Sequence, residues 1–473
     1  MGDSRQFIVH RQSSISTTME IDPKTPIVQP GHTYATVTDQ ISSHVLRRTP
    51  FGWYLGFGLA LLMLGVYVAM LVALLLRGVG IWGINQPVGW GFAIVMFVWW
   101  IGIGHAGTFI SAILLLFRAR WRTSINRFAE AMTLVAVVNA GLFPLIHLGR
   151  PWLFYWMIPY PNTFGLWPQF RSPLVWDMVA VLTYFIVSLL FWYLGLIPDM
   201  ATLRDRAGGE WARRIYGALS LGWVGSAFHW RRYEMAYYLM AALATPLVIS
   251  VHSIVGLDFA YGVIPGWHAT ISPPFFVVGA IFSGFAMVIV LAIPLRAFYN
   301  LQAFITDRHL DNMGRFLLGT GLVVAFGYLI EIFAGWYTDG IYEEFLVLDR
   351  FYGPYGWMYY GMLVANVLIP QLLWSRRVRR NTKALFLIAL LVLVGMWLER
   401  FVIVSASLAR DFLPSSWGQY GFTTWDFAML VGSLGLFFTL MFLFIRFMPV
   451  ISIFEMRELV SEEEAGNVVD SNE

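Results

Sequence analysis

The sequence predicts an all-α polytopic membrane protein of about ten transmembrane helices, on three observations. Of its 473 residues, 58% are hydrophobic and 12% charged, with a mean hydropathy of +0.66, too apolar for soluble domains of the same total length. Runs close to the ~20 apolar residues that a helix needs to cross a hydrocarbon core of about 30 Å recur along the chain. The basic residues alternate between connections. Of 31 Lys and Arg, 25 fall on one side, Arg77, Arg150, Arg171, Arg350 and Arg410 on the other, and Arg400 within a span. That distribution says more than the net charge of +3, and by the positive-inside rule it places both termini in the cytoplasm.

The predicted spans are 51–76, 91–117, 126–148, 172–197, 231–254, 273–297, 315–337, 354–374, 384–405 and 425–447. Before them, residues 1–46 form a Ser, Thr and Pro-containing arm without the apolar core of a cleavable signal peptide, expected to be disordered or draped on a neighbour. The first span has no ionisable residue between Phe51 and Leu76 and reads as peripheral. In the second, Gly102-Ile-Gly104-His105-Ala-Gly107-Thr108 sets a histidine near mid-membrane among small residues that let another helix approach. His105 either relays protons or ties helices together.

The third span ends in Pro144-Leu-Ile-His147-Leu-Gly-Arg150-Pro151, and the fourth begins Ser172-Pro173-Leu-Val-Trp-Asp177. Ser and Pro suit an N-cap and a first helical position, which puts Asp177 about one turn, ~6 Å, inside the membrane. Between the two spans lie Trp152, Phe154, Tyr155, Trp156, Tyr160, Phe164, Trp167 and Phe170 with four prolines, the composition of an ordered interfacial loop. His252 comes near the end of the fifth span, and Asp258 follows it as a third proton group on the outer side.

Glu331 in the seventh span, and Glu399 and Arg400 in the ninth, each need an internal partner. Adjacent helix positions diverge by roughly 100°, so pairing across helices is expected, Glu331 with Arg400 being one option. The arginines between spans 4 and 5 set topology and suit lipid phosphates. Asp339, Glu343, Glu344 and Asp349 suit a docking surface for an extracytoplasmic partner. The tail, with Glu455, Glu458, Glu462, Glu463, Glu464 and Glu473, reads as solvated and partly disordered.

There is no cysteine, so disulfides, thioether haem and thiolate-held iron–sulfur clusters are excluded from this chain. An outer-side base beside an aromatic cleft suits a quinol. Quinol oxidation releases two electrons and two protons, and needs acceptors at the ring oxygens and an exit to water. Histidine, with an ordinary pKa of about 6.5, suits a first acceptor, and Asp177 or Asp258 would orient His147 and pass the proton on. Three rivals stand beside this reading. A haem-b anchor would use His147 and His252, which share one depth; a secondary transporter would bind at the midplane; a structural anchor would hold no quinone.

Four segments carry a family resemblance: Trp100-Ile-Gly-Ile-Gly-His105-Ala-Gly-Thr-Phe-Ile-Ser111, Pro144 to Trp152, Ser172 to Asp177, and His252-Ser-Ile-Val-Gly-Leu-Asp258. On these the chain resembles the NrfD/PsrC family of membrane quinol subunits, most of all the ActC-type subunit of bacterial alternative complex III. The likeness covers most of residues 50–450. It implies two four-helix bundles, spans 2–5 and 6–9, flanked by spans 1 and 10, so that an N-terminal arm (1–46), a membrane domain (47–450) and an acidic tail (451–473) follow one another. It implies oxidation of menaquinol or ubiquinol near the outer face of a bacterial inner membrane. Electrons would pass to an extracytoplasmic iron–sulfur subunit and on to c-type haems in cytochrome subunits, this chain itself holding no haem, cluster or metal. A second NrfD-like membrane subunit, phospholipids and a terminal oxidase are implied as further partners, and nucleic acid is not. His147, Asp177 and Asp258 match pocket positions, with Arg150, Trp152 and His252 around them. His105, Glu331, Glu399 and Arg400 match proton-route positions.

Overall fold

The helix Phe92–Leu116 has 89% of its apolar window buried inside the protein, against 28% for Phe51–Arg77, and this contrast orders the fold. The computed structural model describes residues 27–157, 173–338, 340–410 and 412–470. Its helices are α1 (Tyr34–Leu46), α2 (Phe51–Arg77), α3 (Phe92–Leu116), α4 (Asn126–His147), α5 (Pro173–Arg206), α6 (Glu210–Leu219), α7 (Ala227–Ala260), α8 (Ser272–Phe298), α9 (Asp307–Tyr337), α10 (Ile341–Tyr352), α11 (Gly356–Leu363), α12 (Arg376–Arg380), α13 (Thr382–Phe401), α14 (Thr424–Phe447) and α15 (Ile453–Asp470). No strand occurs among the described residues.

Nine helices among the described residues are long and apolar enough to cross a membrane: α2, α3, α4, α5, α7, α8, α9, α13 and α14. The eighth predicted span, 354–374, is helical but interrupted. After α11 the chain makes a π turn (Val364–Leu368) and a 3-10 segment (Ile369–Trp374) around Pro370, which has no N–H to donate. Ser172, the aromatic stretch from Tyr160 to Phe170, Asp339 and Glu473 lie outside the described residues.

The helices group as two bundles. α3, α4, α5 and α7 pack together, α8 packs with α9 and α13, the α11 segment packs on α9 and α13, and α3 and α7 both meet α8 across the seam. The small residues of α3 make the close approaches: a Cβ on Gly107 would collide with the Ala129 carbonyl of α4, and one on Gly284 of α8 with Ala106. α2 pairs with α14, outside both bundles.

The first and last described segments also fold onto the helices. Gln29 donates to the Ala303 carbonyl (3.0 Å), and α1 packs on α15, where Arg457 donates to Thr38 (2.7 Å). Glu455, expected to be solvated, is 6% exposed and pairs with Arg122 at 3.1 Å. The reason is amphipathic packing: Ile453, Met456, Leu459 and Val460 bury the same side of α15.

Candidate functional site

α5 starts at Pro173 and α7 runs to Ala260, so the first turn of one lies beside the last turn of the other. Asp258 is therefore helical, not a loop residue. This arrangement brings the Asp177 and Asp258 carboxyls side by side. Two carboxyls so placed can share one proton. Asp177 is 8% exposed, and Oδ1 of each acid is buried without a partner among the described residues. One oxygen on each acid is thus left for a ligand, a water or a proton relay.

His147 is the last residue of α4, which packs on α5. Its Nδ1 is buried and has no hydrogen-bond partner among the described residues. Arg150 and Trp152 follow on an exposed stretch around the 3-10 turn Pro151–Met157, Trp152 being 59% exposed.

His252 departs from expectation. Because α7 continues well past the predicted end at 254, His252 lies about 12 Å along the helix from Ala260, at the ~1.5 Å rise per residue. It is fully buried, with its ring centroid 4.5 Å from that of His105. The histidine that shares its depth is therefore His105, not His147. His105 stacks on Tyr184 (4.6 Å, 1°), and its Nδ1–H donates to the Ile101 carbonyl at 2.5 Å, which leaves Nε2 as the acceptor in a neutral ring. His105 Nε2 and both ring nitrogens of His252 are buried without partners among the described residues. The two rings are in contact, and a neutral His252 has one N–H to donate and one nitrogen to accept.

The pairing expected for the buried charges is also different. Glu331 pairs with Arg350 (2.6 Å), and Arg400 pairs with its own neighbour Glu399 (2.7 Å). The 100° divergence fixes where the side chains leave the helix, but two long side chains can bend back to touch. Its residual effect is angular, since neither Glu399 Oε1 nor Arg400 Nη1 completes a hydrogen bond. Glu399 accepts from Tyr328, whose hydroxyl accepts from Asn366 (2.9 Å). Arg400 lies over the Phe276 ring at 4.4 Å, in space that a side chain at Gly279 would take. Two π turns, Val364–Leu368 and Val402–Ala406, flank this cluster.

The family model for polysulphide reductase, NrfD, matches residues 81–410, more than half of the chain. The chain belongs to the NrfD family. It is accordingly an integral-membrane oxidoreductase subunit. Among curated proteins it is similar to the putative dimethyl sulfoxide reductase membrane subunit of Halobacterium salinarum, 28% identical over 73% of this chain and 77% of that protein. It is also similar to a selenate reductase subunit of Mesobacillus selenatarsenatis, 21% identical over 76% and 86%. A third relative is the Hdr-like menaquinol oxidoreductase integral membrane subunit of Archaeoglobus fulgidus, 21% identical over 62% and 63%.

Several polar residues of this NrfD-family chain escape a reading by sequence. Tyr184 and Tyr328 look like ordinary apolar filler. Asn366 carries a usable signal, as an amide in the middle of an apolar run. On the side opposite His147, Arg127 is wholly buried and meets Asp199 (3.2 Å), the Gly195 carbonyl (2.6 Å) and Glu130 (3.7 Å). Glu130 accepts from Ser111 and from Tyr237 (3.4 Å). Arg127, at the start of the third predicted span, gives no sign of this burial in the sequence.

Proposed function

We propose that this chain is the quinol-reacting membrane subunit of a respiratory oxidoreductase complex, with its site at the α4, α5 and α7 ends. The observation that carries the reading is the contact between Asp177 and Asp258 beside the helix that ends in His147. A carboxyl pair able to share a proton and a histidine whose buried nitrogen has no partner among the described residues supply the acceptors that quinol oxidation needs. The His147 side is the outer face in the topology that the basic residues support. Electrons pass to an extracytoplasmic iron–sulfur partner, because this chain has no cysteine to hold a cluster. An alternative complex III-like assembly is the finer form of this reading, and the name of the Archaeoglobus relative makes menaquinol the first quinol to test. Labelling the complex with a photoreactive menaquinone analogue is expected to mark the end of α4 and the start of α5, in competition with menaquinol. Label confined to α9 and α13 would place the site elsewhere.

A proton route is a second, separable proposal. His252 precedes Asp258 on α7 and meets His105. Beyond His105, Thr108 contacts Ser188 and Thr133, and Ser111 contacts Glu130. Glu399 and Arg400 form a branch toward the other bundle, while Glu331 joins Arg350 near the surface. In vesicles, Glu399→Gln and His105→Ala are expected to lower the proton-to-electron ratio more than the electron rate. An unchanged ratio in both counts against transfer through these groups.

A further inference from the structure

On the side opposite His147, a cleft of about 720 Å³ opens between the end of α3, the start of α7 and α15. Arg118, Arg120, Arg122 and Arg457 line it against Glu234, Glu455 and Glu458. Cationic groups outnumber carboxylates, and one of them is held unusually. Arg122 is 7% exposed and pairs with Glu455 at 3.1 Å, yet its Nη1 is buried with no hydrogen-bond partner among the described residues. Burial works against its charge, but Glu455, Tyr237 and Glu130 together more than restore it, so its pKa lies above the usual guanidinium value. Tyr233, 6% exposed and in the same cleft, also has a hydroxyl without a partner there. Buried donors left unused are costly. An oxyanion with several acceptor atoms satisfies both.

Depth and flank indicate the source of that anion. The cleft lies where two spans leave the bilayer, and next to its lining residues Phe117 (76% exposed) and Leu239 (65%) present apolar surface. A soluble anion has no use for such a flank; an acyl chain does. We propose that this cleft binds the phosphate headgroup of an anionic phospholipid. The site does not rest on the quinol reading, since it lies at the other ends of these helices.

The test uses the full chain, purified and delipidated in neutral detergent, with lipid retention followed by native mass spectrometry. Phosphatidylglycerol is expected to be held on the order of tenfold more tightly than phosphatidylcholine. Arg122→Gln is expected to cost about tenfold or more of that affinity. Arg118→Gln, at the exposed rim, is expected to cost roughly fivefold, and keeps the test decisive where Arg122→Gln fails to fold. Excess inorganic phosphate is expected to leave the lipid bound; its displacing the lipid would reassign the cleft to a free phosphate anion. Equal retention of the two lipids, or unchanged retention in Arg118→Gln, overturns the site.

Discussion

Asp177→Asn or His147→Ala in the assembled complex is expected to lower quinol-oxidation turnover by about a hundredfold to ten-thousandfold, the usual contribution of a positioned acid or base. The partner redox centres should remain chemically reducible. The geometry sharpens this. An asparagine in place of Asp177 could still hydrogen bond to Asp258, so the fold of the α5 and α7 ends should survive, but its amide cannot take up a proton. Asp177 and Asp258 share one contact, so Asp177→Asn and Asp258→Asn should each lose nearly as much activity as the double variant. Groups that act as a unit behave in this non-additive way. Independent effects would mean that the two acids serve separate steps. Normal turnover and quinol affinity in Asp177→Asn and His147→Ala would demote the chain to a structural anchor.

How far the site is legible in the sequence differs from residue to residue. Asp177 is legible because Pro173 opens α5 where the proline rule puts a helix start. Asp258 is legible as a proton group but not as a helical one. Gly256 and an aspartate after an apolar run look like an ending, whereas packing against α8 carries α7 on to Ala260. That extension alone moves His252 inward to meet His105. The partners of Glu331 and Arg400 are tertiary facts: Arg350 reaches Glu331 from α10, and Tyr328 reaches Glu399 from α9. Hydropathy gives the spans and charge bias gives their sides, but neither carries the rotation or exact length that decides which polar groups meet.

Arg127→Met is expected to destabilise the purified chain by about 3–5 kcal/mol, read as a lower unfolding temperature in detergent and a lower folded yield. The size follows from what remains. Asp199 and Glu130 are 0% and 1% exposed, and without the guanidinium both lose their cationic neighbour. Among the described residues Asp199 would keep the N–H groups of Ile453 and Phe454, at 3.1 and 3.3 Å. Those two bonds tie the start of α15 to α5, so the loss should spread to the C-terminal helix. The exposed pair Arg214 and Glu210 is the control, since surface ion pairs of this kind contribute about 0–1 kcal/mol. Desolvation of the charges, not the count of ion pairs, sets the difference. Adding Asp199→Asn and Glu130→Gln to Arg127→Met should therefore recover part of the loss, because neutral amides leave no buried charge unpaired. If the triple variant is less stable than Arg127→Met alone, the network works through specific hydrogen bonds and not through charge balance.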